Sequence, residues 1–264
     1  MVPSDYPDDY DEDDRLDPSR DWEDAASIHP GALPGALRRL TLLGDDPFLS
    51  MQATNIGLVD AFLNTLESRL MRERVTQDST PPDTAFVLAQ SQMWIFSTYE
   101  LLRTWKQRAK DTIKLIENGG VEMRLAKLLK PLSYRHTARE MRARQLQKIA
   151  IMPNALDVLD ADLRRTHVTF GLMEALRMAL AKHEVPKVKD SVAFAPGYGR
   201  INMWNGSIDF ELSTDAGILG TTSHRELAEG LRHMFNGPPQ TWDELANFND
   251  YLKGPPASFW PPGP

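Results

Sequence analysis

Hydrophobic residues recur at intervals of three and four over most of the chain, which is the spacing of one face of an α-helix. In residues 52–74 the apolar positions form one stripe: Ile56, Val59, Leu63, Leu66 and Leu70. The same pattern predicts helices over 36–43, 84–117, 121–129, 134–150 and 155–182. Asn118-Gly119-Gly120, Pro131 and Pro153 separate three of them, because glycine favours a left-handed cap and proline cannot continue a helix. The sequence therefore predicts a mainly α fold, with a bundle of about five helices.

The pattern changes after Pro186, where apolar and polar residues alternate on both sides of Asn205-Gly206. Such alternation around Asn-Gly predicts a small β-hairpin, since both turn positions need a positive φ. A capping box at Ser223 precedes a helix to about residue 235, and Thr241 opens a last short helix. The predicted organisation is an acidic disordered tail over 1–35, a helical bundle over 36–190, a hairpin-and-helix appendage over 191–253 and a proline-rich tail over 254–264.

Composition excludes several classes of protein. The chain has 264 residues and no cysteine, which excludes disulfides and thiolate metal sites and is typical of a reducing compartment. Its first residues resemble neither a signal peptide nor a transit peptide, and its apolar runs are too short to span a bilayer. The six histidines are scattered, and phosphate-binding loops and serine-nucleophile motifs are absent. We therefore expect a cytoplasmic protein with no membrane contact, no metal and no cofactor.

Charge is distributed very unevenly along the chain. Residues 1–24 hold eleven acidic and two basic side chains, whereas residues 101–150 hold thirteen basic and four acidic ones. A block of like charge repels itself and stays disordered, and a basic surface can bind polyanions. Two interpretations remain open. The tail either solubilises a protein whose basic helix face is simply solvated, or covers that basic face and competes with nucleic acid.

One stretch combines a permanent cation with a titratable imidazole: Arg177-Met-Ala-Leu-Ala-Lys-His183, near the end of the helix predicted over 155–182. Such a pair can hold and cleave a phosphodiester. On a straight helix six residues turn by ~240°, so the two side chains point to different faces. A shared site then requires the helix to end before Pro186, or a second subunit to complete it. In the alternative interpretation Arg177 and Lys182 lie on a solvated face and His183 interacts with the helix dipole.

The local string 176–184 resembles the Arg-Asn-x-x-Ala-His strings of the HEPN superfamily of bacterial RNases. The resemblance covers residues 54–186. It implies an antiparallel helical bundle that forms a homodimer and cleaves RNA without a metal, in a bacterial stress or defence system. In that family His183 would act on the 2′-hydroxyl or the leaving oxygen, and Arg177 would hold the phosphate. The resemblance also implies an acidic residue on the second helix that faces this motif, and Glu100 is the residue that matches.

Other polar residues allow two interpretations. Glu100 and Arg103 lie three residues apart and can form a local salt bridge, or Glu100 can orient the residues of the proposed site. Four arginines are candidates for contacts with a nucleic-acid backbone: Arg135, Arg139, Arg142 and Arg164. The first three step by four and three along one helix face, which suits a row of phosphates and equally an ordinary exposed face.

A function from a different class is also consistent with the sequence. The chain can be a non-catalytic protein–protein interaction module whose bundle offers a surface to a partner. The acidic N-terminal tail, or the proline-rich C-terminal tail with Phe259 and Trp260, would then dock on a partner protein. The expected partners are therefore RNA, a second copy of the chain, or another protein.

Overall fold

The computed structural model describes residues 24–77, 79–184, 192–193, 196–214 and 217–254. Within these ranges the chain forms a mainly helical fold with one small antiparallel sheet. The helices are α1 (Ala32–Arg39), α2 (Pro47–Gln77), α3 (Thr84–Glu117), α4 (Val121–Leu129), α5 (Thr137–Ala150), α6 (Ala155–Lys182), α7 (His224–Arg232) and α8 (Trp242–Tyr251). The strands are β1 (Gly199–Ile201), β2 (Ile208–Thr214) and β3 (Gly217–Ser223). The mainly α class is confirmed, but six helices precede the sheet where about five were predicted.

The predicted tails fall mostly on residues that the structure does not describe. Residues 1–23 of the acidic tail and 255–264 of the proline-rich tail lie outside the described ranges. The last part of the predicted acidic tail is helical instead, because α1 begins at Ala32. Leu33 and Leu37 on its inner face are fully buried, and this burial explains why the helix forms there.

Helix limits follow local chemistry closely. α3, α4 and α6 begin and end at the predicted residues. Gly119 adopts φ +63° after α3, as the predicted left-handed cap requires. α2 begins five residues earlier than predicted because Asp46 caps it. The Asp46 carboxylate accepts hydrogen bonds from the amides of Phe48, at 2.9 Å, and Leu49, at 3.1 Å, and Pro47 occupies the first helical position.

The bundle is built around α2, α3 and α6. The indole Nε1 of Trp94 on α3 donates to the carbonyl of Ile56 on α2 at 3.2 Å. α1 crosses α2 at Gly57, where a Cβ atom would lie 2.6 Å from the Pro34 ring. Only glycine therefore allows this close crossing. α6 packs against α3, and α7 and α8 pack against α6. No described helix is long and apolar enough to cross a membrane.

The sheet has the strand order β1-β2-β3, with both pairs antiparallel. The predicted hairpin is confirmed, since Ile201 pairs with Ile208, but its connection is longer than a two-residue turn. Gly206 has φ +75°, whereas Asn205 is not in the positive-φ region. β3 was not predicted. The segment predicted as an appendage shares the bundle's core, because Phe210 and Leu212 of β2 are buried in it.

Both helices that follow the sheet begin with side-chain caps. The hydroxyl of Ser223 accepts from the amide of Glu226 at 3.2 Å, and Thr241 forms a complete capping box with Glu244. Both predicted starts are therefore confirmed. α7 ends at Arg232, slightly before the predicted limit.

Candidate functional site

Glu100 and Arg177 meet on the surface between α3 and α6. Arg177 Nε lies 3.7 Å from Glu100 Oε1, and Arg103 Nη2 lies 2.7 Å from Glu100 Oε2. The guanidinium of Arg177 also stands 5.1 Å from the ring centroid of Tyr99, which stacks on Phe170 at 5.1 Å. The Tyr99 ring therefore attracts the Arg177 guanidinium toward α3. The structure therefore brings together two of the three residues proposed for catalysis, and the Glu100–Arg103 salt bridge is present.

His183 lies apart from this pair. α6 stays helical to Lys182, and His183 is its C-cap residue with φ 57° and ψ 31° in the left-handed region. The carbonyl of His183 accepts from the amide of Ala193 at 2.9 Å, so the backbone there is tied to the chain that follows. Its side chain is exposed. Within the described part of the chain, no hydrogen bond or ion pair joins His183 to Arg177 or Glu100.

The four arginines proposed to bind nucleic acid make contacts within the fold. Arg139 caps the end of α4, with Nε 2.8 Å from the carbonyl of Leu128. Arg142 donates to Thr112 Oγ1 at 2.8 Å, and its burial lowers its pKa. Their guanidinium groups are therefore committed to holding helices together.

The other two arginines differ in how far they reach into solvent. Arg164 bonds Asp160 at 2.9 Å and the carbonyl of Gln240 at 2.8 Å, and so ties α6 to the loop before α8. Arg135 is the most exposed of the four. Its side chain is 77% accessible, and its guanidinium lies 3.3 Å from the Glu140 carboxylate. It contributes to an open groove of about 530 Å³ between the end of α4 and α5.

A buried polar network joins α7 to α2, and sequence analysis did not find it. The side chain of His224 has no exposed surface. Its Nδ1 lies 2.8 Å from Glu67 Oε1, and its Nε2 lies 3.0 Å from Asp60 Oδ1. Arg232 donates from Nη2 to the same oxygen of Asp60 at 2.6 Å. The rings of His224 and Trp94 meet at nearly a right angle, with centroids 4.6 Å apart.

The contacts of His224 require a charged imidazolium. Both ring nitrogens face carboxylate oxygens, which accept hydrogen bonds, so both nitrogens carry hydrogen. Burial lowers the pKa of His224, but the charges and hydrogen bonds of Glu67 and Asp60 outweigh it and raise this pKa to about 9. Burial raises the pKa of Asp60, yet His224 and Arg232 hold it below its ordinary value of 3.8. Because the network is enclosed, it joins elements of the fold and is closed to a substrate.

Asp209 on β2 is a half-buried acid close to this network. The side-chain amide of Asn202 donates to both of its carboxylate oxygens, at 3.2 and 3.0 Å. Burial raises the pKa of Asp209 to about 6, with Glu226 and Glu67 acting in the same direction and Asn202 against it. Asp209 therefore titrates closer to neutral pH than an exposed aspartate does.

An apolar strip that carries no charge runs along α2 and α3. Six large side chains there are 47–64% exposed: Phe48, Met51, Leu58 and Phe62 on α2, and Phe86 and Met93 on α3. We call this strip the uncharged face. The rings of Phe62 and Phe86 meet edge to face with centroids 6.3 Å apart, so the strip continues from one helix to the other.

The sequence around the uncharged face has no exposed charge either. From Pro47 to Ser68 the only charged residues are Asp60 and Glu67, and both are buried in the network with His224. From Thr84 to Tyr99 there is no charged residue at all. A quarter of the chain is charged, so two long helix segments, 47–68 and 84–99, that present only neutral residues to solvent require an explanation.

Comparison with protein-family models, with curated proteins and with solved structures finds no significant match to this chain. Among the described residues, no group of three or more histidine or acidic side chains is placed to hold a metal ion. Two surfaces of the described structure are therefore candidates for a functional site: the Glu100–Arg177 pair and the uncharged face.

Proposed function

We propose that this chain is a non-catalytic protein–protein interaction module that binds through the uncharged face. The observation that carries the proposal is the strip of six exposed apolar side chains on segments 47–68 and 84–99, neither of which exposes a charge. Water solvates such a strip poorly, and burying it against another apolar surface is favourable by about 25 cal/mol per Å². Exposed apolar patches of this extent mark binding sites on soluble proteins.

The residues at the two ends of the uncharged face strengthen this proposal. Arg69 pairs with Asp83 where α2 ends and α3 begins. Glu100 follows Met93 by seven residues, two turns further along the same face of α3, and pairs with Arg103 and Arg177. An apolar centre between polar ends is the usual anatomy of a protein interface. In this proposal the Glu100–Arg177 pair belongs to the rim of a binding surface.

Site-specific cross-linking of the full chain in a lysate of its native cells tests the proposal. A photoreactive group attached at Leu58→Cys should give discrete protein adducts, because Leu58 lies at the centre of the uncharged face. The matched control is Met123→Cys on α4, since Met123 is 80% exposed and lies away from the face. Adducts that form equally at both positions, or at neither, would contradict an interaction site on α2 and α3.

A HEPN-like protein that binds and cleaves RNA is the second candidate function. The observation that favours it is the approach of Glu100 to Arg177, because the resemblance implies an acidic residue that faces this arginine. Arg177 is 32% exposed and can reach a phosphate. The position of His183 at the end of α6 requires a second subunit, or a rearrangement of the cap, to complete the site.

Degradation of RNA in the presence of EDTA tests this second candidate. Wild-type protein should cleave single-stranded RNA, and His183→Ala and Arg177→Ala should each lower the rate by a factor of about 100 or more. His136→Ala is the matched control, because His136 is another exposed histidine at a helix terminus. Equal rates for wild type and His183→Ala would assign the activity to a contaminant.

A further inference from the structure

We infer that the occupant of the uncharged face is a second copy of this chain, which packs its own α2 and α3 against it. The inference rests on the proposed function and adds the identity of the partner. In a two-fold symmetric contact each patch meets an identical patch, so the surface must complement itself in area, polarity and charge. The uncharged face meets each of these three requirements.

Its area suits a weak-to-moderate dimer. A large apolar side chain buries 150–250 Å² in full, so six that are about half exposed offer roughly 600 Å². Stable interfaces bury roughly 800 Å² on each partner. Neutral residues between the apolar ones supply the difference, and they include Asn55, Thr65 and Ala89, all of which are exposed.

The absence of charge on this face favours contact with a second uncharged face. The chain carries a net charge of −7, so two copies repel each other on average. They approach most easily where neither copy presents a charge, and Leu58 and Met93 mark the centre of that region. An acidic, basic or phosphate-bearing partner would find no opposite charge there. A membrane surface is disfavoured too, because lipid-binding helices carry lysine or arginine beside their apolar face.

The ends of the face become complementary under a two-fold axis. Contacts between the two helices show that they run antiparallel: Phe62 meets Phe86, while the earlier Ile56 meets the later Trp94. A two-fold axis that passes near Leu58 at right angles to the helices sets the end of one copy that carries Arg69 and Asp83 against the end of the other that carries Glu100 and Arg103. Each end holds both signs of charge, so opposite charges can pair at both rims.

Light scattering during gel filtration of the full chain tests the inference. Wild type should have twice the mass of the 29.8 kDa chain and should dissociate on dilution. Leu58→Glu and Met93→Glu place a charge at the centre of the face, so each should weaken dimerisation at least tenfold. Met123→Glu adds the same charge on an exposed position of α4 and should leave the dimer intact. Both helices keep their buried faces in these variants, and unchanged melting curves will show that each variant folds.

A cysteine-free chain allows a second, independent measurement. Leu58→Cys is then the only thiol, and a short bis-maleimide should link two copies through it, whereas the two copies of Met123→Cys should stay unlinked. A chain that is monomeric at every concentration overturns the inference. If Leu58 of a monomeric chain cross-links to a different protein, the proposed interaction module is supported but its partner is not a second copy. If Leu58 cross-links only within its own chain, for example to residues 255–264, or to nothing, both proposals fail.

Discussion

His224 lies between two carboxylates, so proton binding to this residue is coupled to folding. Its pKa is raised from 6.5 to about 9 in the fold. A raised pKa means that the stabilisation is complete below pH 6.5 and is lost as the pH rises through about 9. We expect the free energy of unfolding to fall by on the order of 3 kcal/mol over this range. Urea unfolding at pH 6, 7.5 and 9 measures it.

A variant isolates this effect from other titrating groups. His224→Gln leaves Asp60 and Glu67 buried without the cation between them, so it should lose about 3–5 kcal/mol at pH 6. Its stability should also lack most of the decline between pH 6.5 and 9. His136→Gln changes an exposed histidine and should keep the wild-type decline. A decline that persists in His224→Gln would show that other groups cause it.

Some single-residue features could be predicted from the sequence and others could not. The stripe predicted for α2 is correct, since Ile56, Leu63, Leu66 and Leu70 are buried. Asp60 and Glu67 lie on the same helix, and the sequence gives no sign that α7 covers them. Their partner His224 lies 164 and 157 residues away in sequence, and no local pattern specifies such a pairing. The Glu100–Arg177 approach was expected only from the HEPN resemblance.

At the scale of elements, the β1–β2 connection is held against α2 by one glycine. A Cβ atom on Gly206 would lie 1.9 Å from the carbonyl oxygen of Glu67, and its φ is +75°. Gly206→Ala therefore combines backbone strain with a clash against helix backbone, which cannot move aside. We expect a loss of about 3 kcal/mol or more in urea unfolding, because the loop must leave α2.

Gly119 supplies the control for this prediction. It has φ +63° at the end of α3, but nothing lies within 4 Å of the Cβ position. Gly119→Ala should therefore cost only the strain of the left-handed region, about 1–2 kcal/mol. Similar losses in the two variants would show that strain alone acts at Gly206, and that the contact with α2 adds little.

Elements were predictable where their signals were local. α3, α4 and α6 have long apolar periodicity or end at glycine or proline. The caps at Ser223 and Thr241 are each recognisable from a motif of four consecutive residues. β3 escaped prediction because it contains two glycines and few alternating apolar residues, and because its pairing with β2 defines it as a strand. The exposed apolar residues of α2 escaped for a different reason. Periodicity identifies one buried face and gives no sign that the opposite face is also apolar.

At the scale of the whole molecule, the chain combines an acidic N-terminal tail with an excess of basic residues over 101–150. Arg139 and Arg142 form hydrogen bonds within the fold, so fewer cations are free to bind nucleic acid than the sequence predicts. Lys127 and Lys130 remain exposed at the end of α4. If the tail competes with nucleic acid for this surface, deletion of residues 1–24 should tighten binding of single-stranded RNA about tenfold at low salt, as fluorescence anisotropy can measure.

Competition of this kind is electrostatic, so salt must weaken it. Raising the salt concentration should shrink the difference between the full chain and the deletion variant, because screening acts on the tail and on RNA alike. The double variant Lys127→Glu, Lys130→Glu should abolish the increase in RNA affinity that the deletion causes. Lys253→Glu changes an exposed lysine outside the basic region 101–150 and should preserve that increase. Equal RNA affinity with and without the tail at low salt would leave the tail as a solubilising segment alone.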